Sequence, residues 1–199
     1  MGEDGCRLRP EQEESRPPPA LSRLPAARAW ISVLEASFIA FRLPAFHSNP
    51  SKRLVKAPKL HFYDSGLVCY LLGMGSPKQL REHPLRGAIF ETWVVSEILK
   101  ARAHRGLAPE LFHSRDRTGT EVDAVLERGA DFVAVETKSG QTIVGDFFAA
   151  LAAFAKLFGS GRRGRAVRQV VIYGGKERQL RTGAAVLPWC AVDACDWAG

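Results

Sequence analysis

The chain has 199 residues, 46% of them hydrophobic and 25% charged, which is enough for one well-packed domain with an appendage. Its formal charge of +7 favours a polyanionic partner, but the excess is spread over 11 basic against 7 acidic residues in 1–80 and 17 against 14 in 81–199, so no groove-reading segment stands out. No run of about 18 apolar residues is present to cross a membrane, and the four cysteines (Cys6, Cys69, Cys190, Cys195) form no Cys-x-x-Cys pair and have no nearby histidine, which argues against a zinc site or a disulfide framework.

The start of the chain, with EQEES and RPPP, lacks the basic and apolar regions of a signal peptide. Residues 1–24 are expected to be disordered, and a reducing cytoplasm is the expected compartment. From Pro25 the pattern changes. Ala26, Trp30, Val33 and Leu34 fall at helical spacing, with Pro25 suited to the first turn. Strands are predicted over 38–44 (FIAFRLP) and 59–64 (KLHFYD), joined by the basic loop SNPSKRLVKAP. A helix followed by a two-stranded wing has no complete core of its own, so it must pack on the rest of the chain or on another one. The five histidines form no ligand spacing.

Residues 84–106 read as a helix, with Pro84 at its start and Gly106 at its end. At 100° per residue Glu91 lies among Gly87, Ala88, Val94, Val95 and Ile98 on the apolar face, whereas Glu97 falls with Ser96 and Lys100. A carboxylate aimed into a core needs an arginine, backbone donors, or a metal with its waters; left unpaired it protonates.

Residues 121–127 (EVDAVLE) and 132–138 (FVAVETK) alternate as strands, and RGAD between them suits a four-residue hairpin loop. Symmetric closure pairs Glu127 with Phe132, Asp123 with Glu136 and Glu121 with Lys138, and strict alternation then puts those last four side chains on one face. Val122, Ala124, Leu126, Val133, Val135 and Thr137 make up the opposite, core-facing surface. Two carboxylates opposed across a ladder repel unless a positive charge lies between them, and a divalent cation is one answer. Magnesium or manganese needs only one or two protein carboxylates plus phosphate and water. Asp123 and Glu136 supply such ligands, and Lys138 points at the phosphate or the attacking water. The alternative is a surface hairpin with a cross-strand Glu121/Lys138 pair.

A further helix is predicted from Asp146 as N-cap through FFAALAAFAKLF, apolar nearly all round and so buried against the sheet. Gln141, in the SGQT turn after Lys138, lies near the proposed site and is read as either a substrate contact or a turn former. Gly159 to Ala166 has Arg165 and Ala166 where a phosphate loop needs Lys and Ser/Thr, and it follows a helix and precedes a strand, so it is not an ATPase motif. Arg162, Arg163, Arg165 and Arg168 lead into the strand RQVVIYGG and are candidates for holding a nucleic-acid backbone, or are a solvated charge run.

The order of Gly87-x-x-x-Glu91 on a helix, Asp123 on a strand and Glu136-x-Lys138 on the next resembles the PD-(D/E)XK nuclease-like superfamily. HSNPSKRLVKAPKLHFYDSGLVCYLLG, HPLRGAIFETWVVSEILKAR, FHSRDRTGTEVDAVLE and VAVETKSGQTIVGDFFAAL are similar to the bacterial domain of unknown function 4143, which usually lies C-terminal to an AAA-type ATPase module. The resemblance covers roughly residues 26–190. It implies an α/β, restriction-endonuclease-like core, a mixed sheet flanked by helices, over 76–199, preceded by a partial winged-helix segment over 25–75. It implies that Glu91, Asp123 and Glu136 organise magnesium or manganese, that Lys138 assists the attacking water, and that DNA and an ATPase module are partners. Two functions follow as expectations: metal-dependent hydrolysis of DNA phosphodiester bonds, or a non-catalytic DNA-binding or ATPase-partner module that keeps the nuclease fold. An inactive gene fragment is a further reading.

Overall fold

The computed structural model describes residues 20–47, 57–116, 119–159, 165–181 and 183–197. Helix α1 (Ala20–Ala36) is followed by strands β1 (Ala40–Leu43) and β2 (Lys59–Phe62), short helices α2 (Ser65–Leu71) and α3 (Pro77–Glu82), and the long helix α4 (Arg86–Ala103). Then come β3 (Leu111–Arg115), β4 (Glu121–Arg128), β5 (Asp131–Lys138), α5 (Ala149–Gly159), β6 (Val167–Tyr173), β7 (Gln179–Arg181) and β8 (Ala184–Pro188). Strands β1 and β2 pair antiparallel, and the other six form a mixed sheet in the order β3-β4-β5-β6-β8-β7. The chain is thus an α/β protein, with β5, β6 and β8 parallel at its centre.

Both faces of this sheet are covered. Val94, Val95 and Ile98 of α4 pack with Ala124, Leu126, Val133, Val135, Val170 and Ile172. Leu151 and Phe154 of α5 pack on the other face with Val122, Val125, Phe132, Ala134 and Val171. A central parallel strand buried on both sides reads as a continuous apolar run, as VVI does in β6. Full burial of Val94, Val95 and Ile98 contributes roughly 1.5–3 kcal/mol each. The β1–β2 hairpin joins the same cores: Phe41 and Leu43 belong to the α4 side, and Phe46 belongs to the α5 side. Just beyond β1, His113 of β3 donates its N–H to Pro44 O and accepts from Phe46 N, adding this segment to the sheet edge.

Several elements differ from their sequence reading. Residues 20–24, expected to be disordered, are helical, so Pro25 sits inside α1 rather than in its first turn; residues 1–19 and most of the basic loop lie outside the described residues. The 128–131 loop closes more tightly than expected: Arg128 pairs with Asp131 and only Gly129 and Ala130 turn, with Gly129 at φ +59°. The Glu127/Phe132 register holds. Asp146 lies within a 3₁₀ turn (Gly145–Phe148) that precedes α5 and does not cap the helix. Helix α5 buries one face only. Only Leu151 and Phe154 of the helix are buried, and Leu157 is 67% exposed.

Strand β4 breaks its own alternation. Phe112 pairs with Val125 but Ser114 pairs with Val122, so Asp123 and Ala124 together oppose the single residue His113. This is a β-bulge in β4. It explains why Val122 packs toward α5 while Ala124 and Leu126 pack toward α4. The expected single face for Glu121, Asp123, Glu136 and Lys138 is therefore not formed, since a strand with one extra residue cannot keep its parity through position 123.

Candidate functional site

The candidate site lies where β4 enters its bulge and β5 ends, beside α4. Glu136 belongs to a strand buried on both faces, and its side chain stays only 8% exposed. Its Oε1 accepts from Lys138 Nζ at 2.5 Å, while its Oε2 is buried without a hydrogen-bond partner. Burial and then the Asp123 charge push the Glu136 pKa up to about 7, against the pull of Lys138. Lys138 also lies over the Phe147 ring, 5.6 Å from its centroid.

Re-aimed by the bulge, Asp123 folds onto β5. Its Oδ2 accepts from the backbone N–H of Thr137 at 2.8 Å and from the Thr137 hydroxyl at 2.7 Å. Sequence reading assigned Thr137 to the core face alone; instead it anchors this carboxylate. Glu91 projects from α4 and finds a partner that is neither arginine, backbone nor metal. Lys59, the first residue of β2, places its Nζ 2.6 Å from Glu91 Oε1, in contact with Glu121 Oε1, and 3.9 Å from Asp123 Oδ1. Burial alone lowers the Lys59 pKa; the hydrogen bonds to Glu121 and Glu91, with the charges of Glu91 and Asp123, outweigh it and raise it above 10.5. Burial and the Asp123 charge raise Glu91, and Lys59 opposes them.

The acids are thus shared between two lysines, Glu136 with Lys138 and the other three around Lys59. Among the described residues no three His, Cys, Asp or Glu side chains gather as a metal-holding group. Lys59 was missed from the sequence because it lies 32 residues before Glu91, on an element with no recognisable motif. Arg86, at the start of α4, was also missed; its Nε donates to Ser139 Oγ at 3.1 Å, tying the helix to the turn after Lys138.

The sequence pattern of the domain of unknown function DUF4143 matches residues 86–192. The chain belongs to the DUF4143 family. Residues 20–78 match a second domain of unknown function, DUF8612. An uncharacterized protein of Mycobacterium tuberculosis and one of Mycobacterium bovis are each 27% identical to it over 117 residues, 58% of this chain and 25% of the relative. The matched region thus spans about a quarter of these curated relatives' length.

Glu91, Asp123, Glu136 and Lys138 fall inside the DUF4143 match and Lys59 inside the DUF8612 match, so the Lys59–Glu91 contact joins the two matched regions. The arginines do not join the site. Arg162 and Arg163 lie outside the described residues. Arg165 stacks on Phe132, 4.9 Å from the ring centroid, at the opposite end of the parallel β5–β6 pair from Lys138. Six residues of strand separate those ends by about 20 Å. Arg168 approaches Cys195. Gln141 is exposed in the turn after β5. No helix among the described residues is long and apolar enough to cross a membrane.

Proposed function

We propose that this DUF4143 chain is a metal-dependent nuclease-like protein acting on DNA phosphodiester bonds. The observation that carries the reading is Glu136: a buried side chain, 8% exposed, with one carboxylate oxygen bonded to Lys138 and the other an orphaned acceptor, within the field of Asp123. An orphaned buried carboxylate oxygen is costly, and oxygen donors of this kind suit a hard cation such as magnesium or manganese. Asp123 and Glu136 would hold the cation, with Glu91 contributing once released from Lys59. When bound, such a cation lowers the pKa of its water and offsets charge on a phosphoryl oxygen. Lys138 keeps an ammonium beside Glu136, suited to orienting the attacking water and stabilising negative charge on phosphate. The order helix Glu91, bulged-strand Asp123, Glu136-x-Lys138 agrees with the PD-(D/E)XK likeness and a restriction-endonuclease-like core, and the net charge of +7 suits a polyanionic substrate.

The test is cleavage of supercoiled and branched DNA with magnesium or manganese by wild type, Asp123→Ala and Lys138→Ala. Cleavage lost in both variants, with unchanged circular dichroism, is the expected result; a variant that cuts as well as wild type sinks the assignment. The engagement of Glu91 by Lys59 favours a second reading, a DNA-binding or ATPase-partner module without catalysis. Exposed Trp30 and Val33 on α1, and exposed Tyr70 and Leu71 on α2, are apolar side chains that such a partner would cover. Association of an ATPase portion supplied in trans, without cleavage, is what that reading expects.

A further inference from the structure

We propose that Lys59 is an internal counter-cation that competes with a divalent metal for the acidic site, so that metal loading requires Lys59 to withdraw. The inference rests on the metal-dependent reading above. It starts from who holds the acids. One ammonium bridges Glu91 and Glu121 and reaches toward Asp123, drawing on carboxylates from α4 and β4. The other buried acid, Glu136, keeps an orphaned oxygen within the same field of charges, since Asp123 and Glu91 both act on it. Four carboxylates therefore face two ammoniums and the exposed guanidinium of Arg115, 3.9 Å from Glu121, and three of the four gather around Lys59.

Geometry makes the two cations alternatives. A small divalent ion needs its carboxylate oxygens at about 2.0–2.1 Å and close to octahedral. Lys59 holds Glu91 Oε1 at 2.6 Å with its Nζ on the side facing Asp123 and Glu121. An ammonium 2.6 Å from Glu91 and 3.9 Å from Asp123 repels a divalent ion held by the same carboxylates, so each cation weakens the hold of the other. Withdrawal is feasible because Lys59 opens its strand, follows the exposed Pro58, and has a quarter of its side chain already in solvent. Its four-carbon stem can swing the ammonium outward without moving the backbone pairing of Lys59 with Leu43. Competition of this kind ties the cation affinity of the residues matched to DUF4143 to one side chain of the preceding hairpin.

Manganese chloride alone is titrated calorimetrically into wild type, Lys59→Met and Asp123→Asn, and thermal unfolding is followed in chelator and in manganese. Lys59→Met is expected to bind manganese about tenfold more tightly than wild type, equivalent to ~1.4 kcal/mol, and to gain more in Tm from the metal than wild type does. Asp123→Asn is expected to bind more weakly. Equal affinity in wild type and Lys59→Met, with weaker binding in Asp123→Asn, overturns the competition but leaves the metal reading standing. No binding by either wild type or Lys59→Met overturns both. A measurement on wild type avoids any folding defect in the variant: amine-reactive labelling followed by peptide mass spectrometry should modify Lys59 faster at saturating manganese. Unchanged labelling there sinks the proposal.

Discussion

Replacing Glu136 by glutamine turns the pH dependence of stability into a direct reading of the buried carboxylate. In the folded chain Glu136 titrates at about 7 against an ordinary value of 4.5, because of burial and Asp123. A carboxyl group raised in this way contributes stability that is fully present below 4.5 and lost as pH rises through about 7. At 1.36 kcal/mol per pH unit the loss is on the order of 3 kcal/mol. Buried His61 works in the opposite sense. Its pKa is lowered to about 4 by burial and then by Lys59 and His113, so its contribution is present above 6.5 and lost as pH falls toward 4. The two slopes oppose each other across the same window and flatten the wild-type profile. Glu136→Gln mimics the protonated form at every pH. Urea unfolding at intervals from pH 4 to pH 8 should find the variant close to wild type at the acid end and more stable by roughly 3 kcal/mol at pH 8. A difference between the two proteins that stays constant across that range would refute the argument that Glu136 is held up by its surroundings.

Arg102 is buried and directs its guanidinium to Ala108 O, Trp197 O and Glu110 Oε2. Arg102→Met should cost on the order of 3 kcal/mol in urea unfolding, since buried carbonyl oxygens lose their donor; a loss under about 1 kcal/mol would contradict this. Gly174 donates its N–H to Lys138 O and Gly140 O, and a Cβ there would meet Ser139 O. Gly174→Ala should therefore cost roughly 1–3 kcal/mol in thermal unfolding by forcing the turn after Lys138 to move, and an unchanged Tm would refute the close approach.

How much of this was legible depended on distance along the chain. Helix α4 could be read because its apolar residues repeat at helical spacing, and the β4–β5 register because a short turn fixes which residues face each other. The α2 cap at Asp64 and the α3 cap at Ser76, ahead of Pro77, were equally local signals that went unread. The bulge was not legible: EVDAVLE alternates without interruption, and only pairing with β3, with its single His113 opposite two residues, breaks the parity. Burial of Glu91 against a partner could be argued from the helix face alone, but the identity of that partner could not, because β2 reaches α4 only through the tertiary fold. The same limit applied to Arg165, whose nearness in sequence to β6 gave no warning that the parallel β5–β6 pair would carry it to the far end from Lys138.

The reach of Arg102 to Trp197 spans 95 residues, and it gives this protein an order of assembly. Helix α4 can form early from its own sequence, but the guanidinium on its last turn waits for a carbonyl far along the chain. Contacts of such long sequence separation delay the rate-determining step of folding. During synthesis, at about 5–20 residues per second, the α4 side of the core is complete only once residue 197 emerges, because Trp197 belongs to it. A newly made chain can cover Val94, Val95 and Ile98 with the strands that carry Ala124 to Ile172 before then, so what waits, for roughly 5–20 seconds after α4 is made, is the closure of Arg102 onto Trp197.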